Sequence, residues 1–236
     1  MSGLADTSLS EQEVLLANLQ QAERFPHPVT EFELLQTHIS WVLLTGPYAY
    51  KFKKPLDLGF LNFSSLQRRK YFCEEELRLN RRFSEKLYLE VISVNGDYDK
   101  PNLNGPGPVI EYAVKMKQFP QSAQLDVVLS NGQLTNEHID KLADAIAEFH
   151  QHAERAENKS PYGNADSVLK PVLENFFHIR NIHLLSDFEP RLNQLENWCR
   201  NEFTRLKPFL ETRKQNGFIR EGHGDMHLRN MTLLDN

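Results

Sequence analysis

Apolar residues recur at helical spacing in some parts of this chain and alternate in others, and the switch between the two periods divides it. Val14, Leu15 and Leu19 follow Ser10 and Glu13, whose spacing is that of a capping box. A helix is therefore predicted over residues 11–23, ended by Pro26 and Pro28. Over residues 37–53, aromatic and branched side chains flank Thr45, Gly46, Pro47 and Tyr48, the pattern of two strands joined as a hairpin. Pro55 cannot donate to a ladder and stops the second strand. Ser64 with Gln67 has capping-box spacing again and opens a helix running to about Phe83. Residues 89–94 and 109–119 have strand character, separated by a connector over 95–108 rich in Asn, Gly and Pro. Beyond Pro120 the period changes. Leu134, Ile139, Leu142, Ile146 and Phe149 recur at helical spacing, and two more helical stretches are predicted over 168–185 and 191–213.

These elements predict an α+β fold with an antiparallel sheet and a helix in the first half and a helical second half, the two lobes meeting near Phe119. Composition excludes some classes without selecting a chemistry. The 236 residues are 40% hydrophobic and 25% charged, with 27 Lys and Arg against 32 Asp and Glu, a formal net charge of -5. That balance gives no reason to expect a nucleic-acid partner. Apolar runs such as residues 41–44 fall far short of the roughly 20 residues of a membrane span, and the N-terminus lacks a basic-then-apolar signal pattern. The expectation is a cytoplasmic protein with no membrane partner. Cys73 and Cys199 lie in different segments, so neither a disulfide framework nor a thiolate zinc site is indicated, and both are expected to pack as small apolar side chains.

The densest polar cluster is His223, Asp225, His227 and Asn230, behind Gly222 and Gly224. Phosphoryl transfer needs a carboxylate to orient or deprotonate the attacking hydroxyl and an amide oxygen to help hold magnesium, and Asp225 and Asn230 are suitably spaced. His223 and His227, at i and i+4, would suit a metal site if the segment were helical, which the glycines oppose. A polar loop whose histidines bond only to backbone is the plainest alternative. Elsewhere, Ala49, Lys51 and Lys53 alternate with Tyr50 and Phe52, so one face of that strand carries lysines and the other aromatics. Such a lysine face is usually a solvated edge. A nucleotide site on a sheet, however, needs a small residue against the base and a lysine two residues later, which Ala49 and Lys51 supply. In the helix after Ser64, Glu74 has Lys70 and Arg78 as i−4 and i+4 neighbours, and Glu75 has mixed ones. Glu76, flanked by Phe72, Cys73, Leu79 and Phe83, is the carboxylate on the apolar face and needs a cation, from Lys51 or from Arg81 or Arg82.

Together these residues resemble the aminoglycoside phosphotransferase family, relatives of the protein kinases that phosphorylate small-molecule hydroxyls. HGDMHLRN, residues 223–230, looks like its catalytic loop; AYK, 49–51, like its adenine-packing alanine and phosphate lysine; CEEELRLN, 73–80, like the helix that holds that lysine. KMKQF, 115–119, is similar to the segment linking the lobes. The resemblance implies a protein-kinase-like two-lobe fold, with residues 1–118 as the nucleotide-binding lobe and 119–236 as an incomplete helical lobe carrying the catalytic loop. It implies Asp225 as catalytic base, Asn230 as magnesium ligand, Ala49 against adenine, Lys51 on the phosphates and Glu76 holding Lys51. Backbone groups of Met116, Lys117 and Gln118 would contact the base, Gly46 would form a partial lid, and His223 would be structural. ATP and magnesium (Mg2+) are the implied cofactors, and a small-molecule hydroxyl is the acceptor.

The stretch from THISWVLLTG through KKPLDLGFLNFSSLQRRKYFCEEELRLNRR also resembles uncharacterised bacterial members of this family, in some of which a P-loop kinase domain follows. Such a domain is the expected companion in the complete protein. In the family a strand with a magnesium-binding aspartate comes shortly after the catalytic loop. Asp235 is expected in the turn before that strand, and the chain is expected to be a fragment or truncated product. The contrasting expectation is a nucleotide-binding or regulatory module without transfer activity.

Overall fold

The structure, a computed structural model, describes residues 8–59, 61–182 and 187–234. Asp235 and the end of the helix expected over 168–185 lie outside the described residues. The protein is α+β, and its chain divides into two compact units, Met1–Leu134 with Met226–Asn236, and Thr135–Asp225. Although the change of period falls near Phe119, the short helix α3 (Leu125–Ser130) stays with the first unit because it packs on the turns flanking it at Gln121–Ala123 and Leu228–Asn230.

The first unit is built on a six-stranded antiparallel sheet of order β1-β2-β3-β6-β4-β5. Its strands are β1 (Glu33–Gln36), β2 (Ser40–Leu44), β3 (Tyr48–Lys53), β4 (Tyr88–Gly96), β5 (Pro101–Leu103) and β6 (Val109–Lys117). β2 and β3 form the expected hairpin, turning at Gly46, whose φ of 88° is a left-handed value that glycine adopts without steric cost. Helix α1 (Leu9–Leu19) begins two residues earlier than its apolar spacing suggests. The box is Ser8 with Glu11: Ser8 Oγ accepts from the Glu11 N–H at 3.2 Å and Glu11 Oε2 from the Ser8 N–H at 2.7 Å. Leu15, Leu16 and Leu19 of α1 form one core with Trp41, Leu43, Tyr50, Phe52, Ile92 and Val94. Register explains the match, since Phe52 sits opposite Trp41 and Tyr50 opposite Leu43, four large side chains on one face of the hairpin.

Helix α2 (Leu66–Ser84) packs against β6 and β4. Its cap is Ser65, one residue beyond the predicted Ser64, and accepts from the Arg68 N–H at 3.3 Å. The seam is closed by an ion pair with no exposed side-chain surface. Arg69 Nε donates to both Glu111 oxygens at 2.9 and 3.0 Å, and Arg69 Nη1 to the carbonyls of Phe63 and Ser64 at 3.1 and 2.9 Å. Gln12 of α1 donates to Glu111 and to the Lys53 carbonyl, each at 2.8 Å. Burial pushes the Glu111 carboxyl above its ordinary range, and Arg69 only partly opposes it.

The second unit holds α4 (Asn136–His152), α5 (Ala165–Arg180) and α6 (Glu189–Gln215). Arg180 joins α5 to α6 through Glu189 and Glu196 at 2.9 and 2.7 Å. After α6 the chain runs beside residues 153–156, with Ala156 N–H donating to Ile219 O at 3.1 Å and Glu221 N–H to Glu154 O at 3.0 Å. Among the described residues, no helix is long and apolar enough to cross a membrane.

Arg69→Met leaves the Glu111 carboxylate buried without its cation and should lower the free energy of unfolding in urea by about 3–5 kcal/mol. Adding Glu111→Leu should recover part of that loss, whereas a single variant as stable as the parent would show that the pair contributes nothing.

Candidate functional site

Period-two alternation sends Ala49, Lys51 and Lys53 to the face of β3 opposite Tyr50 and Phe52. On α2, Arg69, Cys73, Glu76 and Asn80 fall in one stripe at i, i+4, i+7 and i+11, so a helix anchored through Arg69 presents Glu76 inward as well. The two faces meet at Glu76. Lys51 Nζ donates to Glu76 Oε1 at 2.7 Å, and Lys53 Nζ pairs with Glu76 Oε2. The side-chain exposures are 28% for Lys51, 8% for Lys53 and 11% for Glu76. The other cations that spacing allows for Glu76 are engaged elsewhere: Arg81 Nε donates to the Tyr88 carbonyl and Arg82 Nε to the Leu79 carbonyl. Lys53 belongs to the same cluster, which the solvated-edge reading passes over, although its position on the Lys51 face marks it.

The electrostatics follow from the neighbours. Burial alone would raise the Glu76 carboxyl, but Lys51 and Lys53 outweigh it and lower its pKa from 4.5 to about 2. Burial pulls the Lys51 ammonium down, and Glu76 more than restores it, so the net shift is upward. Burial also pushes the Cys73 thiol up to about 12 and raises Tyr88, so both stay uncharged at neutral pH. Two ammonium groups thus face one carboxylate, and the cluster carries an unneutralised positive charge.

Ala49 is buried and paired with Met116 across β3 and β6, while Met116 is itself half-buried. The Lys117 N–H donates to Leu87 O at 2.8 Å and the Gln118 N–H to Pro47 O at 3.1 Å. Gln118 Oε1 accepts from the Thr45 N–H at 3.2 Å, tying the hairpin turn to the end of β6. Two of the amides expected to meet a base are therefore already committed within the sheet.

The loop 222–230 spans the division between the units, with Asp225 in the second and Asn230 in the first. Gly224 has φ of 80°, and the Asp225 N–H donates to His223 Nδ1 at 3.3 Å, which holds that histidine within its own loop. Asn230 closes a 3-10 turn, its N–H donating to His227 O at 2.9 Å. The segment behind it is fastened by Leu125 N–H to Met231 O at 3.0 Å and by Arg229 to Asp126 at 3.3 Å. Among the described residues no group of three or more His, Cys, Asp or Glu side chains is placed to hold a metal ion. A cavity of about 470 Å³ in the second unit is lined by Asn164, Asp166, Glu211 and Lys214, none of them singled out by sequence.

Because the folded Glu76 pKa lies below its ordinary value, its contribution to stability is present above pH 4.5 and lost as pH falls toward about 2. Glu76→Gln should cost on the order of 3 kcal/mol at neutral pH. Denaturant titrations of parent and variant should converge as the pH drops from about 5 through the window defined by Glu76. A difference that stays constant over that window would mean that the carboxylate is not ion-paired in solution.

No family model matches the chain, and no solved structure matches it. Two uncharacterized proteins of Mycobacterium tuberculosis and one of Mycobacterium bovis are each 25% identical to it over 213 residues. The alignments cover 89% of this chain and 41% of each relative, so the chain spans about two fifths of the length of the curated relatives it matches.

Proposed function

We propose that this chain is a protein-kinase-like phosphotransferase of the aminoglycoside phosphotransferase type, transferring the γ-phosphate of ATP to a hydroxyl of a small molecule. The observation that carries the reading is the ion pair between Lys51 on β3 and Glu76 on α2. In kinase-type sites a strand lysine held by a helix glutamate presents a fixed ammonium to the nucleotide phosphates. The surplus positive charge of the Lys51, Lys53 and Glu76 cluster suits a polyphosphate, and Ala49 is the small residue on the same face.

In this reading Asp225, exposed on its loop, accepts the proton of the acceptor hydroxyl and orients that oxygen toward the phosphorus. Asn230 would hold magnesium, whose charge would offset that of the phosphates. A side-chain amide fits that part, because magnesium keeps several waters and binds through one or two protein oxygens together with phosphates. The protein's contribution is then positioning and electrostatic complementarity. Base contacts fall to groups other than the Lys117 and Gln118 amides, which donate within the sheet. A second reading, nucleotide binding without transfer, is favoured by one observation: Ala49, Lys51, Lys53 and Glu76 all belong to the first unit, so binding draws on that unit alone.

With ATP and magnesium, the protein should release or transfer phosphate, and Asp225→Asn should lower kcat by at least about 100-fold while leaving ATP affinity intact. Lys51→Ala should weaken ATP binding roughly tenfold or more, about 1.4 kcal/mol. Undiminished turnover by the Asp225 variant would sink the transferase reading, and ATP-dependent thermal stabilisation without any turnover would establish the second.

A further inference from the structure

We propose that His27 is a pH-sensitive latch on the β2–β3 turn, holding Thr45 while its ring is neutral and releasing it when the ring gains a second proton. Thr45 is the node of that turn and is fully buried. Its N–H is shared between Tyr48 O at 2.9 Å and Gln118 Oε1 at 3.2 Å, and its hydroxyl donates to the same Tyr48 carbonyl at 2.8 Å. His27 Nε2 lies 3.0 Å from that hydroxyl oxygen. A hydroxyl has one proton to give, and here it goes to Tyr48 O, so the hydrogen of the histidine bond comes from Nε2. The bond therefore fixes the tautomer, with the proton on Nε2 and the lone pair on Nδ1.

Nδ1 is buried and meets no hydrogen-bond partner among the described residues. A lone pair is tolerated there, whereas an added N–H would be a buried donor on a cation with nothing to accept it. The ring packs edge-on against Phe25 and Tyr48, with centroids 5.5 and 4.8 Å away, and lies parallel to Tyr50 at 6.2 Å. By register Lys115 of β6 sits opposite Tyr50, and Glu90 of β4 sits opposite Lys115 and is paired with it at 2.9 Å. Lys115 repels a charge on the histidine, and Glu90 is committed to Lys115. Burial, reinforced by Lys115, holds the His27 pKa below its ordinary 6.5. The contribution of the neutral ring is complete above pH 6.5 and is lost as pH falls through the lowered value of the folded state. What is lost is local: Gln118 still donates to Pro47 O and the strands keep their ladder, but Thr45 gives up its tie to the segment before β1. The turn that bears Gly46 then opens more readily in mild acid. That loss begins far above the pKa of about 2 that governs Glu76, and it holds whatever the chain binds.

Nuclear magnetic resonance of the protein, His27→Gln and His27→Phe between about pH 7.5 and about pH 5.5 tests this. Long-range proton–nitrogen spectra of the parent at the upper pH should show His27 protonated at Nε2, and its ring should titrate below 6.5. Hydrogen-exchange protection of the Thr45 amide, corrected for the intrinsic rate, should fall roughly tenfold from the upper to the lower pH in the parent. Glutamine can donate to Thr45 and does not titrate, so His27→Gln should keep its protection within about twofold over the range. His27→Phe, which retains ring packing without the donor, should be poorly protected throughout. An Nδ1-protonated His27, a ring that titrates at 6.5 or above, or a fall in protection that persists in the Gln variant would overturn the proposal. Should neither variant fold, the tautomer and titration of the parent decide between the same outcomes.

Discussion

The Arg69 and Glu111 pair fixes the rotation of α2 against the sheet, and the candidate site inherits its geometry from that rotation. Glu76 lies two turns beyond Arg69, about 10 Å along the axis at 1.5 Å per residue, and on the same stripe. Turning the helix by one residue, roughly 100°, would carry Glu76 off the lysines and bring Glu75 toward them, and turning it by two would bring Glu74. Those two instead face Arg78 and Lys70 on the solvent side. Gln12 extends the same constraint to β3, because it binds Glu111 and the Lys53 carbonyl together.

The two buried ionic groups differ in the balance between burial and attraction. Glu111 has one guanidinium and two neutral donors, Gln12 Nε2 and the Tyr112 N–H, and burial dominates its protonation. Glu76 has two ammonium groups, and attraction dominates. In the first cluster the charges cancel and nearly every bond is internal. In the second, cation exceeds anion on a side that is partly open, an arrangement that gains from an added anion.

Much of this was legible in the chain, for identifiable reasons. The hairpin, α2 and the long helices have strong periods, and Glu76 is selected among three glutamates by neighbours within a turn. Cap positions slipped by one or two residues because serines cluster there: Ser8 and Ser10, then Ser64 and Ser65. β1, β5 and α3 are too short to establish a period, and β5 lies within the connector that composition marks as a turn region. Arg69 with Glu111 could not be read, since 42 positions separate the partners and no local spacing links them. Lys53 was visible on the right face, yet alternation alone does not tell a lysine facing water from one facing a carboxylate. The 25% identical relatives carry no functional description that would have added to these readings.

The return of the chain to the first unit affects how this protein is made. Gln124 bridges Thr232, Thr232 Oγ1 donates to the Ala123 carbonyl at 3.1 Å, and the Leu233 N–H donates to that carbonyl at 2.9 Å. Residues 226–234 leave the ribosome only after the whole helical unit has been synthesised. Loop closure over such a length costs only slightly more than over a shorter one, so the delay is one of sequence order more than of free energy. During translation the sheet, α1 and α2 can assemble early, while the backbone groups at 123–125 wait for their partners. The turn bearing Asn230 is therefore available for docking only once residues 135–225 have been made, whereas Lys51, Lys53 and Glu76 can pair before them.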